Sequence, residues 1–229
     1  MTAQNPADRG IVNLDARAVA ATVSLVKQAG LADLDRPTPC AGWSLADLIG
    51  HMTAQHYGWT AAAVGHGADL PVWQPGPPVA DPIGEYAEAA RRVLEAFSED
   101  GVLDREFTLA EISPVLRFPA AQAISFHFID YLVHGWDVAR SLGADYQPEP
   151  DLLAAALPVA LAVPGGEARK RDGAAFAPEV AVPAQAGLLD QIVAALGRRP
   201  SWPQCAAPGT NAEEMAYAED PVPQVIIPK

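Results

Sequence analysis

The stretch Phe126–Gly143, FHFIDYLVHGWDVARSLG, decides how this chain folds and where its chemistry sits. It reads as one long helix ending at Leu142, with Gly143 just past the end as the left-handed stop. Asp130 and His134 stand four residues apart within it. That spacing puts them about 40° apart on one helix face, one turn from each other. A carboxylate and an imidazole so placed can grip one divalent ion. A second segment, WSLADLIGH (Trp43–His51), offers a third ligand in His51, on a helix that Ser44 and Asp47 open with a capping box. Three nitrogen and oxygen donors without a thiolate suggest an open catalytic site rather than a closed structural one.

Working outward, apolar periodicity predicts a first helix over Asn13–Ala29, stopped by Gly30, after a frayed start. The His51 helix should run to about Val64. Gly67–Gly84 holds Pro71, Pro75, Pro77, Pro78 and Pro82 and reads as a long loop, a candidate lid over the site. Glu85–Ser98 is a third amphipathic helix, and Gly101–Phe118 an irregular stretch with short extended pieces. Pro119 suits the first turn of the helix carrying Asp130. Asp151–Val163 is a fifth helix that Pro158 could kink. Pro164–Pro183 reads as a loop with a strand near Val180–Val182, and Gly187–Leu196 as a short final helix. The expected fold is all-α: a four-helix bundle with long crossover connections and an appended C-terminal helix. Residues 1–205 form the metal-binding helical domain. Residues 206–229 form an extended tail that wraps the bundle or a neighbouring copy, which leaves a homodimer open.

The chain has 229 residues, enough for one full core, and half of them are hydrophobic. A net charge of −13 argues against nucleic-acid binding, because no basic face is available to neutralise phosphates. Cys40 and Cys205 form no CxxC pair, so a zinc finger or thioredoxin-like motif is excluded. The start MTAQNPADRG lacks the basic and apolar regions of a leader, and no apolar run is long enough to span a membrane. The expected location is the cytoplasm.

TPCAGWSLADLIGH (Thr38–His51), FHFIDYLVHGWDVARSLG and LLDQIVAALGRRPSW (Leu188–Trp202) together resemble the DinB/YfiT-like metalloenzymes. More narrowly they resemble the actinobacterial branch related to the N-terminal domain of mycothiol-dependent maleylpyruvate isomerase. The resemblance implies a helical bundle holding zinc or nickel on a His of the second helix and an acid/His pair of a later helix. His51, Asp130 and His134 match those positions, with Asp130 where the isomerase has the longer Glu. It also implies a small-molecule substrate and a thiol such as mycothiol, in a transferase or isomerase reaction. The alternatives are a thiol-free hydrolase, lyase or cyclase, or a non-catalytic protein that binds metal or ligand.

His127, one turn before Asp130, is the candidate catalytic acid or base. Its other readings are a partner that orients a ligand from behind, a fourth ligand where the helix bends, and a core-edge histidine hydrogen-bonded to a neighbouring helix. His56 and His66 read as surface residues and Trp136 as core. Gln55, one turn after His51, lines the pocket or makes a helix–helix hydrogen bond. Asp137 orients a ligand or ties down a loop. Cys40 reads as a small buried residue in a turn or as a reactive thiol near a helix start. Arg169–Arg171 reads as a solvated loop face or a clamp for acidic groups.

Overall fold

A computed structural model of the chain describes residues 6–170 and 174–203. The expected tail, Cys205 and Arg171 lie outside the described residues. Four long helices carry the fold: α1 (Pro6–Val26), α2 (Leu45–Ala63), α3 (Pro82–Ser98) and α4 (Ala120–Leu142). A hairpin of β1 (Glu106–Leu109) and β2 (Ser113–Pro119) joins α3 to α4, and α5 (Pro150–Ala162) and α6 (Leu188–Ala195) follow. Local chemistry sets the ends. The Ser44 hydroxyl accepts from the Asp47 N–H, and the Asp47 carboxylate accepts from the Ser44 N–H. Gly143 closes α4 at φ 69°, where a side chain would be strained. Helix α3 begins at Pro82, earlier than the periodicity suggests, because the Asp81 carboxylate caps the Gly84 N–H at 2.9 Å. Pro119 sits before α4 as its cap, outside the first turn.

Helix α1 packs on α4 and α3, and α2 packs on α3 and α4. Helices α2 and α4 run antiparallel, which three contacts fix: His51 faces His134, the Met52 carbonyl accepts from the Tyr131 hydroxyl, and His56 faces His127. At one end Leu45, Leu48, Ile49, Met52 and Val138 close the apolar core, and at the other Trp59, Trp73, Phe97 and Phe107 do. A third cluster seats α5 and α6 on the outer face of α4 through Trp136, Leu152 and Ile192. Trp136 is core, as expected. Among the described residues no helix is long and apolar enough to cross a membrane.

The architecture is not strictly all-α. The irregular stretch before α4 folds into an antiparallel pair in which Phe107 lies opposite Phe118, with a bulge between Thr108 and Leu109. Phe107 and Leu109 alternate inward and are buried, so the strand period wins there over the helical one. No strand forms at Val180–Val182; the Val180 N–H donates instead to the Ala194 carbonyl at 2.9 Å. Arg169 is neither solvated nor a clamp for a ligand. It is buried and donates to the carbonyls of Val163, Pro164 and Ala195, which end α5 and α6. Pro158 lies within α5 without ending it.

The Pro-rich segment is held at the end of α2 remote from His51. Its Trp73 is buried edge-on to Trp59 and lies so close to Gly58 that an added Cβ would meet the ring at 2.3 Å. Its indole N–H donates to the Gly67 carbonyl at 3.0 Å. The hairpin uses the same anchor, since the Ala110 N–H also donates to Gly67.

The core between α1, α2 and α4 holds a polar relay. Asp15 meets His127 Nδ1 at 2.6 Å, and His127 Nε2 meets His56 Nδ1 at 3.2 Å, all three fully buried. His56 was expected at the surface; here it stacks on Tyr131 with ring centroids 4.0 Å apart and has Tyr86 of α3 at 5.2 Å. If Asp15 accepts from His127, His127 accepts from the single N–H of a neutral His56, whose Nε2 has no partner among the described residues. A second proton would sit there unpaired, so burial, with the neighbouring His127, holds His56 well below the usual 6.5.

An unfolded His56 gains a proton as pH drops through 6.5 while the folded one does not. This contribution to stability is therefore complete above pH 6.5 and is lost at up to about 1.4 kcal/mol per pH unit below it. His56→Phe keeps a stacked ring and removes the titration. Denaturant unfolding across an acid pH series should show a shallower decline for the variant than for the parent chain.

Candidate metal centre

The antiparallel pairing of α2 and α4 brings His51, Asp130 and His134 together. One ligand atom from each lies within 4.8 Å of the other two. His134 Nε2 is 3.5 Å from Asp130 Oδ1, and the His51 and His134 rings meet edge-on at 5.5 Å. Trp43, at the entry to α2, packs on His51 at 4.9 Å. His134 is nearly buried, and the Asp130 side chain is 22% exposed, so the set opens to solvent on the carboxylate side.

The other edge of His134 is held from behind. Its Nδ1 lies 3.0 Å from Asp137 Oδ2, which fixes the ring and leaves Nε2 for a ligand. Asp137 is fully buried and is met by Arg198, which donates through Nη2 at 3.1 Å and Nε at 3.5 Å. Burial works against the Asp137 carboxylate, but Arg198 and the His134 hydrogen bond overcome it, and its pKa is lowered. Cys40 Sγ stands 3.5 Å from Asp137 Oδ2 and 3.8 Å from Arg198 Nη2.

Cys40, His134 and Asp137 form a second convergent group that shares His134. The guanidinium decides between the two. Arg198 pairs directly with Asp137 and repels a cation there, whereas among the described residues no guanidinium or ammonium pairs with Asp130. The donor chemistry of His51, Asp130 and His134 fits a divalent ion. Burial, reinforced by His134, lowers His51 to about 4, so it is a neutral ligand at pH 7. For His134, burial opposes the charged ring, but Asp130, Asp137 and Cys40 prevail and raise it to about 10. A metal must displace that proton, so affinity weakens as pH falls.

The structure does not bring His127 to this group. It is fully buried, and its two nitrogens are occupied by Asp15 and His56. Gln55 is buried and donates to Glu111 at 2.8 Å. His66 is exposed, as expected. Cys40 is half-buried in the turn before α2, with its sulfur toward Asp137. Two residues near the site carry no signal of their own in the sequence: Arg198, from the turn after α6, and Glu111, from the hairpin.

A mostly helical domain with a candidate metal centre between two helices is the class that fold and site define. The family profile of the mycothiol maleylpyruvate isomerase N-terminal domain matches residues 16–139, and the chain belongs to that family. An uncharacterized protein from each of two Mycobacterium tuberculosis strains is 31% identical over 183 residues, 80% of this chain and 94% of theirs. No solved structure matches the chain. The three candidate ligands and Asp137 fall within the matched residues; Arg198 falls beyond them.

Asp137→Asn should keep the fold and weaken metal binding about 10- to 100-fold, because the amide can present its N–H₂ to His134 and spoil the ring's orientation. Competition with a chromophoric chelator measures the change; unaltered affinity would mean that Asp137 does not orient the ligand.

Proposed function

We propose that the chain is a metal-dependent enzyme using a small thiol of the mycothiol class to transfer or isomerise a small electrophilic substrate. The observation that carries this is His134 clasped on both edges. Asp137 takes Nδ1, and Nε2 is aimed into the space shared with Asp130 and His51. A ring so fixed is a ready ligand. Three nitrogen and oxygen donors leave open positions on a divalent ion. When bound, zinc or nickel supplies the Lewis acidity that keeps a thiol ionised near neutral pH. The family profile supports a thiol as the co-reactant, since mycothiol stands in its description.

The chain's own residues do the remaining work. Trp43 shields one side of His51, and burial keeps that imidazole neutral. Asp130 supplies the negative charge that offsets a dication, and its partial exposure gives substrate a way in. Arg198 balances Asp137, so the carboxylate behind His134 stays ionised without drawing the metal from the front.

Protein purified without a polyhistidine tag should carry about one divalent ion per chain. His134→Ala should lose it while far-UV circular dichroism persists, because the apolar clusters do not depend on that ring. Mycothiol should bind the metal-loaded chain and not the metal-free one in calorimetry. Equal binding to both forms removes the thiolate role and leaves a thiol-free hydrolase, lyase or cyclase; full metal retention in the variant refutes the ligand set.

A further inference from the structure

We propose that Glu111, at the hairpin tip, is the carboxylate that takes the proton of a thiol entering the His51–Asp130–His134 site, with Gln55 as its positioning residue. This rests on the thiol reading of the site. The register of α2 against α4 places the pair. His51 is level with His134 and His56 is level with His127, so Gln55, one residue before His56 and one turn from His51 on the same face, comes within a turn of Asp130. Gln55 is buried, and its amide N–H donates to Glu111 at 2.8 Å. The carboxylate is thereby held beside the exposed, Asp130 side of the candidate metal centre.

Glu111 is not one of the groups whose donor atoms converge within 4.8 Å among the described residues. It is near enough to feel the charge of Asp130 without sharing that donor cluster. Its mounting is firm: the neighbouring Ala110 N–H is bonded to Gly67, whose carbonyl also holds the buried Trp73. Gln55 from α2 and Asp130 from α4 are the polar groups it feels. Glu111 is exposed as a residue, but desolvation of its carboxyl raises its pKa, the Gln55 hydrogen bond lowers it, and the charge of Asp130 raises it again, for a net rise. That shift moves a carboxyl toward the range useful near neutral pH.

The step balances. The thiol S–H bond breaks, an O–H bond forms on Glu111, and the electron pair stays on sulfur as the nucleophile. When sulfur later leaves the product, the proton returns from Glu111 to it.

The test counts protons. Metal-loaded parent chain and Glu111→Gln are titrated with mycothiol by calorimetry in buffers of different ionisation enthalpy. The variant should keep its metal and bind thiol, yet send up to about one more proton to the buffer per thiol bound. Glu111→Asp should restore part of the uptake, and Gln55→Leu should resemble Glu111→Gln. Equal proton counts in parent and Glu111→Gln overturn the role of Glu111 while leaving the thiol reading intact. If the metal-loaded parent chain binds no thiol, the thiol reading fails and this role falls with it. Once a turnover assay exists, Glu111→Gln should cost about 10²- to 10⁴-fold in kcat; an unchanged rate also overturns the proposal.

Discussion

One imidazole holds the centre together. His134 has Asp137 against Nδ1 and faces Asp130 and His51 from Nε2. A histidine free to rotate would sample several tautomers and orientations; this one has a single useful presentation. Its orienting carboxylate is in turn held by Arg198, which α6 and the turn after it deliver from late in the chain. Removing that guanidinium would leave Asp137 buried with only the imidazole and thiol for partners, an expensive arrangement. The seating of α5 and α6 on α4 therefore belongs to the site as much as to the core.

The same helix pair carries a second polar layer one to two turns away, the Asp15–His127–His56 relay. Both layers depend on the register of α2 against α4. A slip of one turn would set His56 against apolar side chains and separate His51 from His134, with buried polar groups left unpaired at about 1–3 kcal/mol each. Apolar contacts such as Leu48, Ile49 and Val138 tolerate a shift far better, because dispersion has no direction. The relay thus serves the site without touching it, by penalising other alignments.

The spacing of Asp130 and His134 and the cap at Ser44 were legible in the sequence because they are local. A helix period converts four residues into one face, and a capping box marks its own start. His51 was legible through its place on the neighbouring helix and through family resemblance. What was not legible was tertiary. His56 and His127 look alike in sequence to histidines at a surface or an active site, and only the approach of α1 with Asp15 makes them a buried relay. Arg198 lies in the Leu188–Trp202 stretch that carries part of the family resemblance, but nothing local in Gly197–Pro200 marks it as the partner of Asp137. The hairpin was hidden because only Phe107 and Leu109 alternate inward, while β2 is exposed along most of its length.

The connections divide their labour in a way that composition alone would misassign. A run of prolines suggests a moving cover, yet Trp73 inserts against Gly58 and Trp59 and fixes the segment's first turn to α2. Gly67 then accepts both from that indole and from the hairpin at Ala110, so the loop becomes a footing for the strands. A Cβ at Gly67 would meet the Thr108 carbonyl at 2.1 Å, which shows how closely the two backbones approach. The hairpin stands on that footing, and its tip rather than the proline run reaches Gln55 beside the ligands. Rigid placement matters there, because proton transfer needs heavy atoms within hydrogen-bond reach. A glutamate on a freely moving loop would spend little time in range; on a hairpin whose turn is bonded to Gly67 through the adjacent Ala110, its backbone is held in place.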